Sequence, residues 1–228
     1  MSDPQPALDR NAAVTRSLLG WGVVAGPFYL VVGVVLGSTR PGFDFTRHAL
    51  SLLMLGHLGW IQRANFVLCG LMVIAAGVGT LRAIRSGRGL TVGALVITAG
   101  AALIVGAIFV PDPVNGFPPG AASSTPTASG MLHLICGAIQ FVTIAGAAVA
   151  HALWSRTVGQ PARGAASLTL AGGILGGFAG GVALAHHPVG IALLWLAVIC
   201  EWTWLAFACG QIYQWSPHPL AAARRTVS

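Results

Sequence analysis

Lysine is absent from this chain, glutamate occurs once, and Asp and Glu together number five in 228 residues. Charged residues make up 7% of the sequence, far below the roughly 25% of an ordinary soluble domain, and this argues strongly against a water-soluble fold. The formal charge is +7, yet the arginines are scattered between apolar segments and never form a basic run, so no nucleic-acid partner is expected. Cysteine is also scarce: Cys69, Cys136, Cys200 and Cys209 all fall in apolar stretches, and none forms a C-x-x-C pair. Structural disulfides and a thiolate zinc site are therefore not expected, and buried thiols of this kind behave as small hydrophobes. Walker, dinucleotide-binding, G-x-S-x-G and H-E-x-x-H motifs are missing, which leaves nucleotide-driven and common hydrolase mechanisms without support.

What the chain has in abundance is apolar sequence: 55% hydrophobic residues, 31 glycines and a mean hydropathy of +0.79. It divides into stretches near the roughly 20 residues needed to cross a hydrocarbon core. They predict an all-α, polytopic membrane bundle of six transmembrane helices: Ser17 to Gly37, Trp60 to Leu81, Thr91 to Val110, Gly130 to Trp154, Ser167 to Ala185 and Pro188 to Tyr213. One transmembrane domain, residues 16–214, then lies between tails 1–15 and 215–228. Val35-Leu36-Gly37 before Ser38 resembles a signal cleavage site, but the preceding apolar stretch exceeds the usual roughly 7–15 residues, so a retained anchor is expected.

Arg10, Arg16, Arg82, Arg85, Arg88, Arg156, Arg163, Arg224 and Arg225 fall on one side of these spans, and Arg40, Arg47 and Arg63 on the other. By the positive-inside rule this predicts a cell-membrane protein with both termini cytoplasmic. The two long connections, 38–59 and 111–129, then face outward, and long loops are where function concentrates.

These loops carry the most specific sequence. The first runs Arg40-Pro41-Gly42-Phe43-Asp44-Phe45-Thr46-Arg47-His48-Ala49-Leu50-Ser51, then through Leu55-Gly56 and Gly59-Trp60-Ile61-Gln62 to Asn65-Phe66. The second reads Phe109-Val110-Pro111-Asp112-Pro113 and Gly116-Phe117-Pro118-Pro119-Gly120, followed by Gly130 and His133. Together they resemble the bacterial membrane-protein family catalogued as domain of unknown function 998, over most of the chain. The sequence departs from that family's pattern at Leu52 and Leu53, where an acidic or amide residue often follows the serine. The resemblance implies a six-helix fold, similar to the Frag-like and autophagy-modulator membrane proteins, and no particular chemistry.

Asp44, Arg47, His48 and Ser51 are spaced i, i+3, i+4, i+7, which predicts a short amphipathic helix at the outer interface between helices 1 and 2. It would serve either as a polar site wall or as a wetted face. Arg63, one turn into helix 2, calls for a loop carboxylate, Asp112 or Asp44, as partner. Asp112 itself, between two prolines, is set in a stiff backbone that suits pinning of the loop. In helix 4 His133, Cys136, Gly137, Gln140, Thr143, Ala147 and His151 share a stripe of 3.6-residue period that should face the bundle, because lipid would leave Gln140 without partners.

Helix 5 carries Gly172, Gly173, Gly176, Gly177, Gly180 and Gly181 in overlapping G-x-x-x-G registers, which predicts close helix packing within the chain or with a second copy in a homo-oligomer. Glu201 lies roughly 18 Å along helix 6 at 1.5 Å per residue, near mid-bilayer, where a carboxyl must be protonated or bonded to Gln140, His151 or a Trp N–H. Trp195, Trp202 and Trp204 surround it in sequence.

The expected ligand-binding set is thus Asp44, Arg47, His48, Ser51, Arg63, Asp112, His133, Gln140 and Glu201. His48, Asp112, His133, His186 and His187 fall on the outer side and are the candidate ligands for Zn²⁺; a haem between His133 and His186 has no spacing pattern behind it. The leading expectation is an outward-facing polar pocket for a lipid headgroup or small ligand, with membrane lipids as surroundings. A metal-dependent hydrolase of a lipid-like substrate and a small-molecule transporter are the alternatives.

Overall fold

A computed structural model of the chain describes residues 8–121 and 125–220. Its main elements are α1 (Arg10–Thr39), α2 (Gly59–Ala83), α3 (Gly87–Gly106), α4 (Ala128–Thr157), α5 (Pro161–Ala183) and α6 (Pro188–Trp215), with a short 3-10 helix, Leu50–Met54, between α1 and α2. All six long helices are long and apolar enough to cross a membrane. There is no strand among the described residues.

The helices begin where the chemistry of their ends allows, and mostly earlier than the apolar runs. Asp9 accepts from the Ala12 N–H at 3.1 Å and Ser86 from Gly89 at 3.4 Å, each as an N-cap, while Pro161 and Pro188 open α5 and α6 at the first helical turn, where a missing N–H costs nothing. Hence α1 takes in part of the expected first tail and α5 starts at Pro161, because polar helical turns continue beyond the apolar span. Arg224, Arg225 and the end of the second expected tail lie outside the described residues.

The helices pack as a ring in chain order, α1 against α2 and so on to α6, which closes back on α1. Connections of a few residues make α2–α3, α4–α5 and α5–α6 antiparallel neighbours. Small residues set the close approaches. On α2 and α3, Gly70 and Gly77 meet Gly100 and Gly93: a Cβ at Gly70 would lie 2.7 Å from the Gly100 carbonyl, and one at Gly77 2.9 Å from that of Gly93. Glycine there lets two backbones touch, which lipid-embedded helices use in place of a hydrophobic driving force. The four cysteines are free thiols.

Helix α6 also touches α2 and α4 across the ring. Its inward lean places Glu201, Trp202 and Trp204 among the buried residues, and leaves a space between helices at the end of the molecule where both long loops lie.

Candidate functional site

That space is a cavity of about 410 Å³. Its floor is made by Gln140 of α4 and Glu201 of α6, both buried, with the Gln140 amide donating to the Glu201 carboxyl. The hydrogen bond crosses the bundle and answers the demand of an acid at this depth; of the partners expected for Glu201, the structure uses Gln140. Tyr29, Phe66, Phe141, Phe178, Trp195 and Trp202 form aromatic walls. Tyr29 stacks in tilted fashion on Trp202 at 5.1 Å and on Phe66 at 5.7 Å.

At the loop end, Ser51, Pro111, Asp112 and His133 complete the lining. The His133 Nδ1 lies 3.1 Å from the Gly106 carbonyl and 3.0 Å from that of Phe109. Two acceptors require Nδ1 to carry the proton, so Nε2 is left as an acceptor. Asp112 holds the start of α4: its carboxylate accepts from the Thr127 hydroxyl at 2.6 Å and the Thr127 N–H at 3.0 Å, while Thr127 caps Gly130 at 3.0 Å. This is the loop-pinning role that the flanking prolines suggested.

The first loop roofs the cavity. Phe43 packs on Phe45 and Phe117 with ring centroids 5.2 Å apart in each pair, and the buried His48 ring lies 5.4 Å from both Phe43 and Phe117. His48 Nδ1 accepts from the Asp44 N–H at 2.9 Å, which leaves Nε2–H to donate to the Asn115 carbonyl at 3.1 Å. Asn115 returns a bond to the Arg47 carbonyl at 2.9 Å, so the two loops are stitched together. Trp195 ties the roof to α6 by donating to the Phe45 carbonyl at 3.1 Å.

Asp44 is engaged by its own loop. The Thr46 hydroxyl, and then the Thr46 N–H, hold its carboxyl below the ordinary carboxylate range. Arg40 sits under the roof, donating to the Leu53 and Leu55 carbonyls at 3.3 and 2.6 Å with its guanidinium 5.3 Å from the Phe117 centroid. Burial pulls its pKa down from the usual arginine value.

Residues 23–210 match the family described as Protein of unknown function (DUF998). The chain belongs to the DUF998 family. The matched region takes in both long loops and every cavity residue from Tyr29 to Trp202, so this DUF998 chain carries roof, walls and floor within the family's own span. No curated protein and no solved structure matches it.

Of the nine expected ligand-binding residues in this DUF998 protein, Ser51, Asp112, His133, Gln140 and Glu201 line one cavity. Asp44, Arg47, His48 and Arg63 do not. The helical stripe proposed for Asp44, Arg47, His48 and Ser51 is absent, because residues 44–47 form turns and the short helix begins only at Leu50. That helix is buried on Leu50, Leu52, Leu53 and Met54 rather than amphipathic; the two leucines that depart from the family pattern are packed into the core. Arg63 pairs with neither expected carboxylate. Its Nε donates to the Ala107 carbonyl at 2.9 Å, an acceptor freed by the end of α3.

The candidate zinc cluster also fails to assemble: among the described residues no three His, Cys, Asp or Glu side chains come together as metal ligands would. His48 is enclosed in the roof, Asp112 and His133 are bound as above, His187 accepts from the Val189 N–H at 3.2 Å as the cap of α6, and His186 is exposed. Sequence reasoning missed Tyr29 and Arg40. Tyr29 had a signal, being one of two tyrosines and set in an otherwise apolar span.

Proposed function

We propose that this protein is a ligand-binding protein of the cell membrane, both termini cytoplasmic, whose cavity takes up a small or lipid-like molecule from the outer half of the bilayer. One observation carries the reading: a cavity of about 410 Å³ with aromatic walls ends on a buried polar pair, Gln140 and Glu201. Pockets that bury small ligands run from about 300 to 1,000 Å³ and combine an apolar lining with a few fixed polar groups. Here Ser51, Asp112 and His133 supply the polar groups near the roof and Glu201 and Gln140 those at the floor. The polar groups expected of an outward-facing pocket stand here at the two ends of a mainly apolar lining.

Access from the lipid is supported by Leu134 of α4 and Val182 of α5, which both line the cavity and are 49% and 38% exposed on the bundle surface. The arginine distribution supports the orientation. Neither a hydrolytic nor a transport activity has a comparable feature behind it.

Gly137 offers the test. It lines the cavity, and nothing lies within 4 Å of a Cβ built there, so a side chain can start from this position, and Gly137→Phe is chosen to obstruct the cavity. Protein purified in lipid nanodiscs and analysed by native mass spectrometry should carry a bound molecule that Gly137→Phe excludes while its helical circular-dichroism spectrum is retained. Equal retention by both forms would sink the reading.

A further inference from the structure

The cavity's charged side chains are of one sign. Asp112 and Glu201 are acids, and no arginine lines the cavity; lysine does not occur in the chain. Both Asp112 oxygens already accept from Thr127. At the floor Gln140 donates to one Glu201 oxygen, and no described group donates to the other. Glu201 is 2% exposed and lines the cavity. The Glu201 oxygen without a donor is not among the fully enclosed orphan atoms of the bundle, so it is accessible from the cavity and free to accept from a ligand's donor. His133 presents a second free acceptor, Nε2, higher on the same wall.

Aromatic faces complete the pattern. Tyr29, Phe66, Phe141, Phe178, Trp195 and Trp202 all line the cavity. Ring faces attract cations, most strongly where water is excluded. An enclosure with carboxylates, free acceptors and aromatic faces but no cation is complementary to a positively charged donor, and hostile to an anion.

Resting on the cavity reading above, we propose that the ligand is a lipophilic amine: a protonated ammonium group that donates to the free Glu201 oxygen, followed by an apolar chain that lies along the aromatic walls and leaves between Leu134 and Val182. A buried carboxylate and ammonium repay their desolvation only when geometry and hydrogen bonds are good. Gln140 supplies that geometry by fixing the Glu201 carboxyl across the bundle. A fatty acid would set its carboxylate against Glu201 and is rejected.

The test uses three probes of one chain length, dodecylammonium, dodecanol and dodecanoate, and reads the thermal shift of the full-length protein in detergent as a function of probe concentration. Dodecylammonium should stabilise the wild type at concentrations at least tenfold lower than dodecanol, and dodecanoate should not stabilise it. Glu201→Gln keeps the side chain's shape and removes its charge, and should raise the dodecylammonium concentration needed at least tenfold while leaving dodecanol unchanged. Equal potency of amine and alcohol, or indifference to Glu201→Gln, overturns the amine proposal and leaves the cavity reading intact. Wild-type protein that responds to none of the three overturns it as well. If Gly137→Phe responds to dodecylammonium as the wild type does, the probe binds elsewhere and both readings fall. Gly137→Phe also keeps the test decisive should Glu201→Gln not fold.

Discussion

At the scale of single residues, the pair Gln140 and Glu201 is the position where a small change should have the largest effect. Both side chains are buried, and Gln140 is the donor that reaches the Glu201 carboxyl. Gln140→Leu strips the acid of that donor, with an expected cost of about 1–3 kcal/mol, visible as a lower unfolding temperature in detergent. Replacing both with leucine should cost less than the single change, since two apolar groups leave nothing unsatisfied. Additive losses would show that the two side chains act independently. Asp44 makes a different prediction. Because Thr46 holds its folded carboxyl below the ordinary value, the interaction favours the folded loop above the ordinary carboxylate range and is lost as pH falls through the lower folded value. Amide exchange at Thr46, corrected for the intrinsic pH dependence, should therefore accelerate as pH drops below about 4. Thr46→Val should raise the pH at which this happens, and an unchanged profile would mean that the hydroxyl is not what lowers the carboxyl.

Single helices show a division that the glycine pattern of α5 did not resolve. Gly173, Gly177 and Gly181 face α6: a Cβ at Gly177 would come within 2.7 Å of the Leu193 carbonyl and 2.8 Å of the Ala197 nitrogen. Gly172 and Gly176, one position earlier on the helix, are exposed and have nothing within 4 Å of an added Cβ. Hence Gly177→Ala should destabilise the bundle by about 1–3 kcal/mol, the range for overpacking a tight contact, whereas Gly176→Ala should leave the unfolding temperature unchanged. Similar losses at both positions, in thermal unfolding monitored by circular dichroism, would mean that the exposed register is also packed. Sequence alone revealed the close-packing motif because glycine at every fourth residue leaves a compositional trace. It could not say which of two adjacent stripes faces a partner, since that depends on where α6 leans. The number and order of helices were legible for a simpler reason: a bilayer demands apolar runs of fixed length. Helix ends were less legible, because the polar turns at Arg10 and Pro161 obey capping rules rather than the apolar pattern.

For the whole molecule, the legible part of the cavity is the part buried inside helices. Gln140, Glu201 and His133 stood out because a polar side chain in an apolar span must face the bundle. Asp44, Arg47 and His48 were misplaced because the loop's fold depends on contacts with the other loop, through Phe117 and Asn115, which no local periodicity records. On the proposed function, with the roof stitched across the loop end by Asn115 and Trp195, a ligand would enter between α4 and α5 at Leu134 and Val182, which line the cavity and are exposed on the bundle surface. If these two residues form the entrance, enlarging them should alter passage rather than grip. Leu134→Trp combined with Val182→Trp is expected to slow both association and dissociation of a bound amphiphile by similar factors, leaving the equilibrium affinity within about threefold of wild type, because a barrier common to both directions cancels in their ratio. Stopped-flow tryptophan fluorescence would be confounded by the new side chains, so the rates are best followed with a fluorescent amphiphile exchanged between vesicles and protein. Unchanged rates with a weakened affinity would place the path through the roof, and would make the two residues part of the binding surface instead of its door.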